Sequence, residues 1–554
     1  MSDATAGTAG PGPGVTTGPI APGAPAGPMV PPGPPGAPGA PAADHPGVNP
    51  WLTAVAVMFG TFMVVLDTTV VNVSLPHIAG SLSATVEEST WVLTAYIAAN
   101  AIILPMTGWL ASFFGRKRLL IGSITAFTLS SMLCGAAPSL PILVLFRIVQ
   151  GATGGVMQPL SQAILLEAFP PHERGKAMGF WGLGIVVAPI LGPVLGGWLT
   201  DNYSWRWVFY INIPIGVLSV MLTRAWVFDP SYLRRATRGV DYWGLSLLAI
   251  GAGSLQIMLD KGQQEDWFDS RLIVLLLVLA IVGMTWFTLR ELHHKDPILD
   301  LHVFRHRTFT VGVVLMTVLG FVLFGSLVLL PVMLQTLYGY PSLQAGIALA
   351  PRGMGSFVAM PIVGLLTSRV DARKLVALGL ALGGWTLIWL AELNLNAGYW
   401  DFFWPQVLQG AALGLLFVPL TTVAMADLAR EEIGNASSLF NLVRNIGSSI
   451  GIAAVTTMLT RVRVAHVQQL STYVTPYDPA TRATAGAIGR VLASRGAGDA
   501  ATLAALNGLV QRQASMLAFI DVFRWLGIIF IVAIPLVFLM KKPEGRAAAP
   551  VMSE

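Results

Sequence analysis

Pro105-Met106-Thr107-Gly108-Trp109-Leu110-Ala111-Ser112 returns 256 residues later as Pro361-Ile362-Val363-Gly364-Leu365-Leu366-Thr367-Ser368, and a basic cluster follows each copy. Two more segments repeat in the same order. Gln150-Gly151-Ala152 with Gly155 returns as Gln409-Gly410-Ala411 with Gly414, and Gly175-Lys176-Ala177 returns as Gly434-Asn435-Ala436. The offset stays between 256 and 259 residues. One match of small residues is weak evidence, but three in register read as two parallel halves of one fold.

The segments that repeat are apolar. Of the 554 residues 54% are hydrophobic and 11% charged, and the mean hydropathy is +0.68, more apolar surface than one water-soluble core can hide. About 20 helical residues cross a bilayer core of about 30 Å. Fourteen runs reach that length, near 52–75, 91–111, 119–138, 141–166, 176–199, 206–227, 241–260, 271–290, 309–333, 343–367, 374–392, 402–426, 436–459 and 518–540. The expected fold is an all-α integral membrane protein of 14 transmembrane helices. A six-helix half occupies 51–228, a two-helix insert 241–290, and a second six-helix half 309–540 that includes an external loop at 460–517. In that loop 480–494 and 499–517 read as helices broken by Gly496-Ala497-Gly498, with Asp499 as an N-cap. Residues 1–50, rich in Pro, Gly and Ala and without Lys or Arg, read as a disordered cytoplasmic tail and not as a signal peptide. Residues 541–554 read as a second cytoplasmic tail.

A net charge of +5 and a pI near 9.4 invite a nucleic-acid reading, but the basic residues fall in short clusters between apolar runs, which excludes it. Arg116-Lys117-Arg118, Arg174 with Lys176, Arg234, Arg235 and Arg238, Lys295 with Arg305 and Arg307, Arg369 with Arg373 and Lys374, and Lys541-Lys542 all share one side. That side is the cytoplasm, and an even span count places both termini there; Arg461 and Arg463 run against the rule. The single cysteine, Cys134, excludes an intramolecular disulfide. No Gly-Lys-Ser/Thr phosphate loop and no metal-ligand spacing is present, and His77, His172 and His293-His294 fall in loops, so neither ATP drive, a cofactor nor an enzyme is expected.

Charges inside the apolar runs stand out against this background. Leu66-Asp67-Thr68-Thr69-Val70-Val71-Asn72-Val73-Ser74-Leu75-Pro76 places Asp67 inside the first run, where a charge costs roughly 2.5 to 3.5 kcal/mol. Arg147 lies in the fourth run. Counted from their helix ends, the two sit about 12 Å and about 9 Å below the same external surface, so they can meet. An arginine favours the ionised carboxylate and burial the protonated one, which makes Asp67 and Arg147 a candidate proton-coupling pair. A static ion pair between the first and fourth helices is the alternative. Arg352 and Arg444 each lie about 13 Å deep. With Arg147 they set three buried arginines against one deep acid, so a cavity lined by Asn72, Gln150, Arg352 and Arg444 leans positive. That predicts a preference for acidic or neutral amphiphiles over permanent cations; pairing of these arginines with carbonyls is the alternative.

Leu66 to Pro76, Leu145-Phe146-Arg147-Ile148-Val149-Gln150-Gly151, and Ala188-Pro189-Ile190-Leu191-Gly192-Pro193-Val194-Leu195-Gly196-Gly197 resemble the first-, fourth- and fifth-helix motifs of the major facilitator superfamily. More narrowly, the chain from Trp51 to Lys542 resembles the fourteen-span drug:proton antiporters. The resemblance implies a gating turn at Gly108, Gly115 and Arg116, although Ser112 stands where the family has an acid. It also implies that Pro189, Gly192, Pro193, Gly196 and Gly197 form the moving seam between halves. Gly253-Ser254-Leu255-Gln256-Ile257-Met258-Leu259-Asp260-Lys261-Gly262 with Asp266-Trp267-Phe268, and Trp404-Pro405-Gln406 running to Pro419-Leu420-Thr421-Thr422, are similar to the permease of EmrAB-type tripartite pumps. This implies a multidrug permease of the bacterial inner membrane, driven by the proton gradient without a cofactor, with a periplasmic adaptor and an outer-membrane channel as partners. A selective metabolite or lipid exporter, or a non-transporting receptor or scaffold, are the other readings of the same fold.

Overall fold

The computed structural model describes residues 49–170, 172–229, 241–294, 297–367, 369–429, 431–494 and 499–541, apart from the side chains at 86, 87, 190, 193, 342 and 343. The two expected tails, Gly496-Ala497-Gly498, and the basic residues Arg234, Arg235, Arg238, Lys295, Arg495 and Lys542 lie outside the described residues, save for 49, 50 and 541. Among the described residues fourteen helices are long and apolar enough to cross a membrane. They are α1 (Pro50–Ser81), α2 (Trp91–Phe114), α3 (Arg116–Ala136), α4 (Leu140–Ala168), α5 (Arg174–Asn202), α6 (Trp207–Trp226), α7 (Tyr242–Lys261) and α8 (Arg271–His293), followed by α9 (Arg307–Leu337), α10 (Gln344–Leu366), α11 (Ala372–Leu390), α12 (Tyr399–Ala424), α13 (Ile433–Ser471) and α14 (Asp499–Val537).

Their ends have local causes. Asn49 caps α1 by accepting from the Trp51 amide at 3.0 Å, and Pro50 occupies the first turn, where its missing N–H costs nothing. Asp241 caps α7 through the Gly244 amide at 3.0 Å. Gly115 separates α2 from α3 at φ 83°, a left-handed backbone that a side chain disfavours. α1 continues through Pro76 to Ser81, so His77 is helical and not in a loop.

The sequence repeat is a packing repeat. α1 packs on α5 as α9 packs on α13; α2 on α4 as α10 on α12; α3 on α4 as α11 on α12; and α1 and α3 on α6 as α9 and α11 on α14. The halves meet along two seams related by the same exchange, α5 against α10 and α2 against α13, with α4 also touching α13. The insert backs one of them. α7 pairs with α8, and also touches α2 and α13. Toward α2 it uses charged groups: Thr94 Oγ1 donates to Asp260, and Lys261 Nζ donates to Thr90. Toward α13 it and the turn after it use neutral ones, with Ser449 donating to Gln256 at 3.0 Å and Trp267 Nε1 to Thr457 at 2.9 Å.

The expected external loop is largely helix. α13 and α14 each run 39 residues, about 58 Å, which exceeds a bilayer core by about 28 Å. The stretch expected as a separate helix at 499–517 is the beginning of α14 itself. Pro479–Ala493 forms a further helix packed on α14, capped by Asp478 through the Thr481 amide at 2.7 Å. No residue of α13 after Val455 and none of α14 before Ala514 is buried; polar residues end a hydropathy window without ending a helix.

Candidate functional site

Asp67 and Arg147 meet in the centre of the first half, both fully buried, with Arg147 Nη1 2.5 Å from Asp67 Oδ2. The other carboxylate oxygen accepts from Gln150 Nε2 at 2.9 Å and from Asn212 Nδ2 at 2.8 Å. Arg147 also donates from Nε to the Val92 carbonyl at 3.1 Å and from Nη1 to Gln150 Oε1 at 2.9 Å. The Tyr96 ring lies 4.1 Å from its guanidinium carbon. Asn212 is held in turn by Ser131, which donates to the Phe209 carbonyl. Five helices, α1, α2, α3, α4 and α6, therefore converge on one carboxylate. A lone charge here would be costly; the pair persists because both carboxylate oxygens and three of the five guanidinium N–H groups are hydrogen-bonded. Three buried polar atoms of the cluster, Arg147 Nη2, Asn212 Oδ1 and Tyr96 Oη, have no hydrogen-bond partner and leave donors and an acceptor free for a small polar molecule.

Gln150, expected to line a substrate cavity, is fully buried and spent on this ion pair. Asn72, expected beside it, is exposed on α1. Arg444 of α13 reaches across the seam, donating from Nη2 to Gln158 Oε1 of α4 at 2.8 Å. Arg352 of α10 stays within the second half, donating from Nη2 to Ser326 of α9 at 3.3 Å. Neither arginine has a carboxylate within ion-pair distance among the described residues, and each has a buried Nε without a partner.

Below Arg444 the seam is a ladder of neutral hydrogen bonds. Asn441 Nδ2 donates to Gln162 Oε1 at 2.5 Å, Ser437 Oγ to the Pro159 carbonyl at 2.9 Å, and the Gly108 amide to Ser438 Oγ at 3.1 Å. Backbones touch on both seams: a Cβ on Gly108 of this one would stand 3.0 Å from Asn435 Cα, and on the α5–α10 seam one on Gly364 would stand 2.8 Å from the Gly175 carbonyl. Neutral bonds of this kind are worth about 0.5–1.5 kcal/mol net each, so the halves are joined by contacts far cheaper to break than the ion pair inside the first half.

Gly115 makes the turn after α2 and Gly108 meets Asn435 of the other half, whereas Gly192, Gly196 and Gly197 lie away from the seam between halves. Arg116, 4% exposed, forms an ion pair with Glu167 at the end of α4, so an acid from another helix serves where Ser112 offers none. Gly115 adjoins Asp229, whose Oδ1 accepts from the Lys117 amide at 2.8 Å. Gly192 and Gly196 face α1, not the other half: a Cβ on the first would overlap Thr69 Oγ1, and one on the second would stand 2.8 Å from the Val70 carbonyl. Gly197 has open space around it, Pro189 is half-buried, and the side chain of Pro193 is not among those described. The glycines of α5 that meet the other half are Gly175, Gly179 and Gly182, the second with a Cβ position 2.7 Å from the Met360 carbonyl and the third with one 2.9 Å from Met360 Sδ. Asn212, Glu167 and Asp229 escaped sequence reasoning. An asparagine amid the apolar run of α6 was the one visible signal among them.

The chain is 39% identical over 498 residues to the fatty acid resistance protein FarB of Neisseria gonorrhoeae, covering 89% of this chain and 96% of that protein. It is 38% identical over 506 residues to the multidrug export protein EmrB of Escherichia coli K12, covering 90% and 97%. Among solved structures, the human organic anion transporter TETRAN aligns with a TM-score of 0.58 at 13% identity over 89% of this chain and 100% of its own, a likeness of fold. The Major Facilitator Superfamily profile matches residues 57–452. With that match, the repeated six-helix packing and the buried acid–arginine pair, the chain belongs to the major facilitator superfamily.

Proposed function

We propose that this protein is a proton-coupled antiporter of the inner membrane that exports amphiphilic toxic compounds, acidic or neutral ones in preference to permanent cations. The observation that carries the proposal is the fully buried Asp67 held by Arg147, Gln150 and Asn212. Both carboxylate oxygens of Asp67 already accept hydrogen bonds, so placing a proton there displaces at least one donor, which ties protonation to a rearrangement of α1 against α4 or α6. One proton moving down 100 mV supplies about 2.3 kcal/mol, enough for roughly a fifty-fold gradient at one-for-one exchange. No cofactor enters this scheme. The names of the relatives, fatty acid resistance and multidrug export, support export of amphiphiles. Arg444 on the seam supports the charge preference, because it is a buried cation whose side-chain partners are the neutral Gln158 and Asn445.

Substrate-triggered proton release from proteoliposomes tests the coupling: the wild type releases protons and Asp67→Asn does not. Full proton-driven accumulation by Asp67→Asn would exclude Asp67 as the essential site. Transport of a lipophilic anion against a quaternary ammonium ion tests the preference, and faster transport of the cation would overturn it.

A periplasmic adaptor, and through it an outer-membrane channel, is the proposed partner of the helical extension of α13 and α14. Its exposed Tyr473 (72%), Tyr477 (88%) and Leu503 (68%) support a protein-facing surface. Photocrosslinkers at Tyr473 and Tyr477 in cells capture the adaptor if this is right and give no specific product if it is wrong. On this placement both termini are cytoplasmic.

A further inference from the structure

The repeat that organises the helices also repeats the polar cluster, with one exchange. At the offset of 259 that relates Gln150 to Gln409, Asp67 falls on Ser326 and Arg147 on Gln406; at the 256 that relates Pro105 to Pro361, Tyr96 falls on Arg352. The counterparts gather as the originals do. Ser326, Arg352 and Gln409 line one cavity with Leu323, Leu413 and Phe530, and Gln406 Nε2 donates to Gln409 Oε1 at 3.3 Å. The second half thus keeps a guanidinium, moved from α12 to α10, and keeps the amides. It replaces the acid by a serine.

The charge balance of the two clusters therefore differs. In the first half Arg147 faces a carboxylate. In the second, Arg352 is 5% exposed and makes one side-chain hydrogen bond, at the long distance of 3.3 Å, to a hydroxyl; its Nε and the Gln406 Oε1 have no partner. A buried guanidinium left in this way costs several kcal/mol unless a counter-charge joins it. The cavity beside it measures about 10 Å³, about the space of one water-sized centre.

We infer that this cluster binds a small monovalent anion, with Arg352 as its counter-ion and the Ser326 hydroxyl as a neutral donor. Chloride and the terminal carboxylate of an amphiphile share that chemistry; at about 10 Å³ the cavity suits the compact ion as it stands, and the carboxylate enters only where the lining side chains give. The inference concerns equilibrium binding and holds whatever the direction or driving ion of transport.

Thermal unfolding of the purified full-length protein in detergent tests it, in potassium gluconate with chloride or decanoate added at constant ionic strength. The expected result is a saturable rise in Tm that is lost, or shifted at least tenfold to higher concentration, in Arg352→Gln and kept in Arg444→Gln. Ser326→Asp is the decisive variant. It restores an internal counter-charge, so its Tm in gluconate exceeds that of the wild type and no longer responds to either anion. A response to chloride alone identifies a resident inorganic ion, and a response to decanoate alone identifies an amphiphile's carboxylate. The inference is overturned if the wild type responds to neither, or if Ser326→Asp responds with the wild-type midpoint. Should Arg352→Gln fail to fold, Arg352→Lys, which keeps the charge, retains the response, and its loss there with Tm unchanged in gluconate would also overturn the inference.

Discussion

Asp67→Asn and Arg147→Gln, made singly and together, separate a brace from a proton site. Asp67 Oδ1 serves two amide donors and Oδ2 the guanidinium. Asp67→Asn leaves a single oxygen for three donors, turns an N–H₂ toward one of them and strands a guanidinium of zero exposure. Removing one partner of a buried pair costs about 3–5 kcal/mol, whereas neutralising both is often nearly free. Each single change is therefore expected to lower stability by about 3 kcal/mol, roughly a hundredfold in the folding equilibrium. The double variant should be more stable than either. The stability assay is chemical or thermal unfolding in one detergent; the functional assay is proton-driven substrate accumulation in proteoliposomes. Stability should return in the double variant while coupling stays lost. If the two single effects add within about 0.5 kcal/mol, the groups are not mutual partners. If coupling returns along with stability, the pair is a brace and Asp67 carries no proton.

Three further outcomes are expected. Gly179→Leu places a bulky side chain where even a Cβ stands 2.7 Å from the Met360 carbonyl, so it holds the seam open; a cysteine probe on the same seam, Met360→Cys in a Cys134→Ser background, should react with maleimide faster by at least tenfold, and an unchanged rate would contradict the seam assignment. Arg116→Ala removes a charged partner from the buried Glu167 carboxylate and should cost about 2 kcal/mol, partly recovered by adding Glu167→Gln; equal losses in the single and double variants would remove the pair's role. The Arg290 guanidinium and then the Gly244 amide hold the Asp241 carboxyl below its ordinary 3.8. A depressed folded-state value means the contribution is complete above the unfolded value and is lost as pH falls through the folded one. Asp241→Asn should therefore lower stability by about 0.5 kcal/mol at pH 7 and make no difference in strong acid, as read from unfolding midpoints across that range.

What could be read from the chain alone follows from which interactions leave a mark in it. Asp67 and Arg147 were visible because a charge inside an apolar run is expensive, and helical rise converts position into depth. Asn212, Tyr96 and the Val92 carbonyl complete the same cluster, yet neutral polar side chains are common in membrane helices and a backbone carbonyl has no letter. Glu167 sits at a helix end, where an acid is unremarkable until its partner is seen. Glycines announce close approach without naming the neighbour: Gly192 and Gly196 meet α1, while Gly175 and Gly179 meet the other half. The last two helices were misjudged in length because hydropathy records where the lipid ends, and α13 and α14 continue past it.

The insert has a consequence for traffic. A molecule made only of two equivalent halves would offer the surrounding acyl chains two matching doorways, one along each seam. Here α7 stands behind the doorway between α2 and α13, bolted to the first by an aspartate and a lysine and only latched to the second by a glutamine and a tryptophan. Among the described residues nothing comparable stands behind α5 and α10. Compounds already dissolved in the bilayer thus meet a fold with one guarded side and one unguarded side, the guard being tied by its charged groups to the first half.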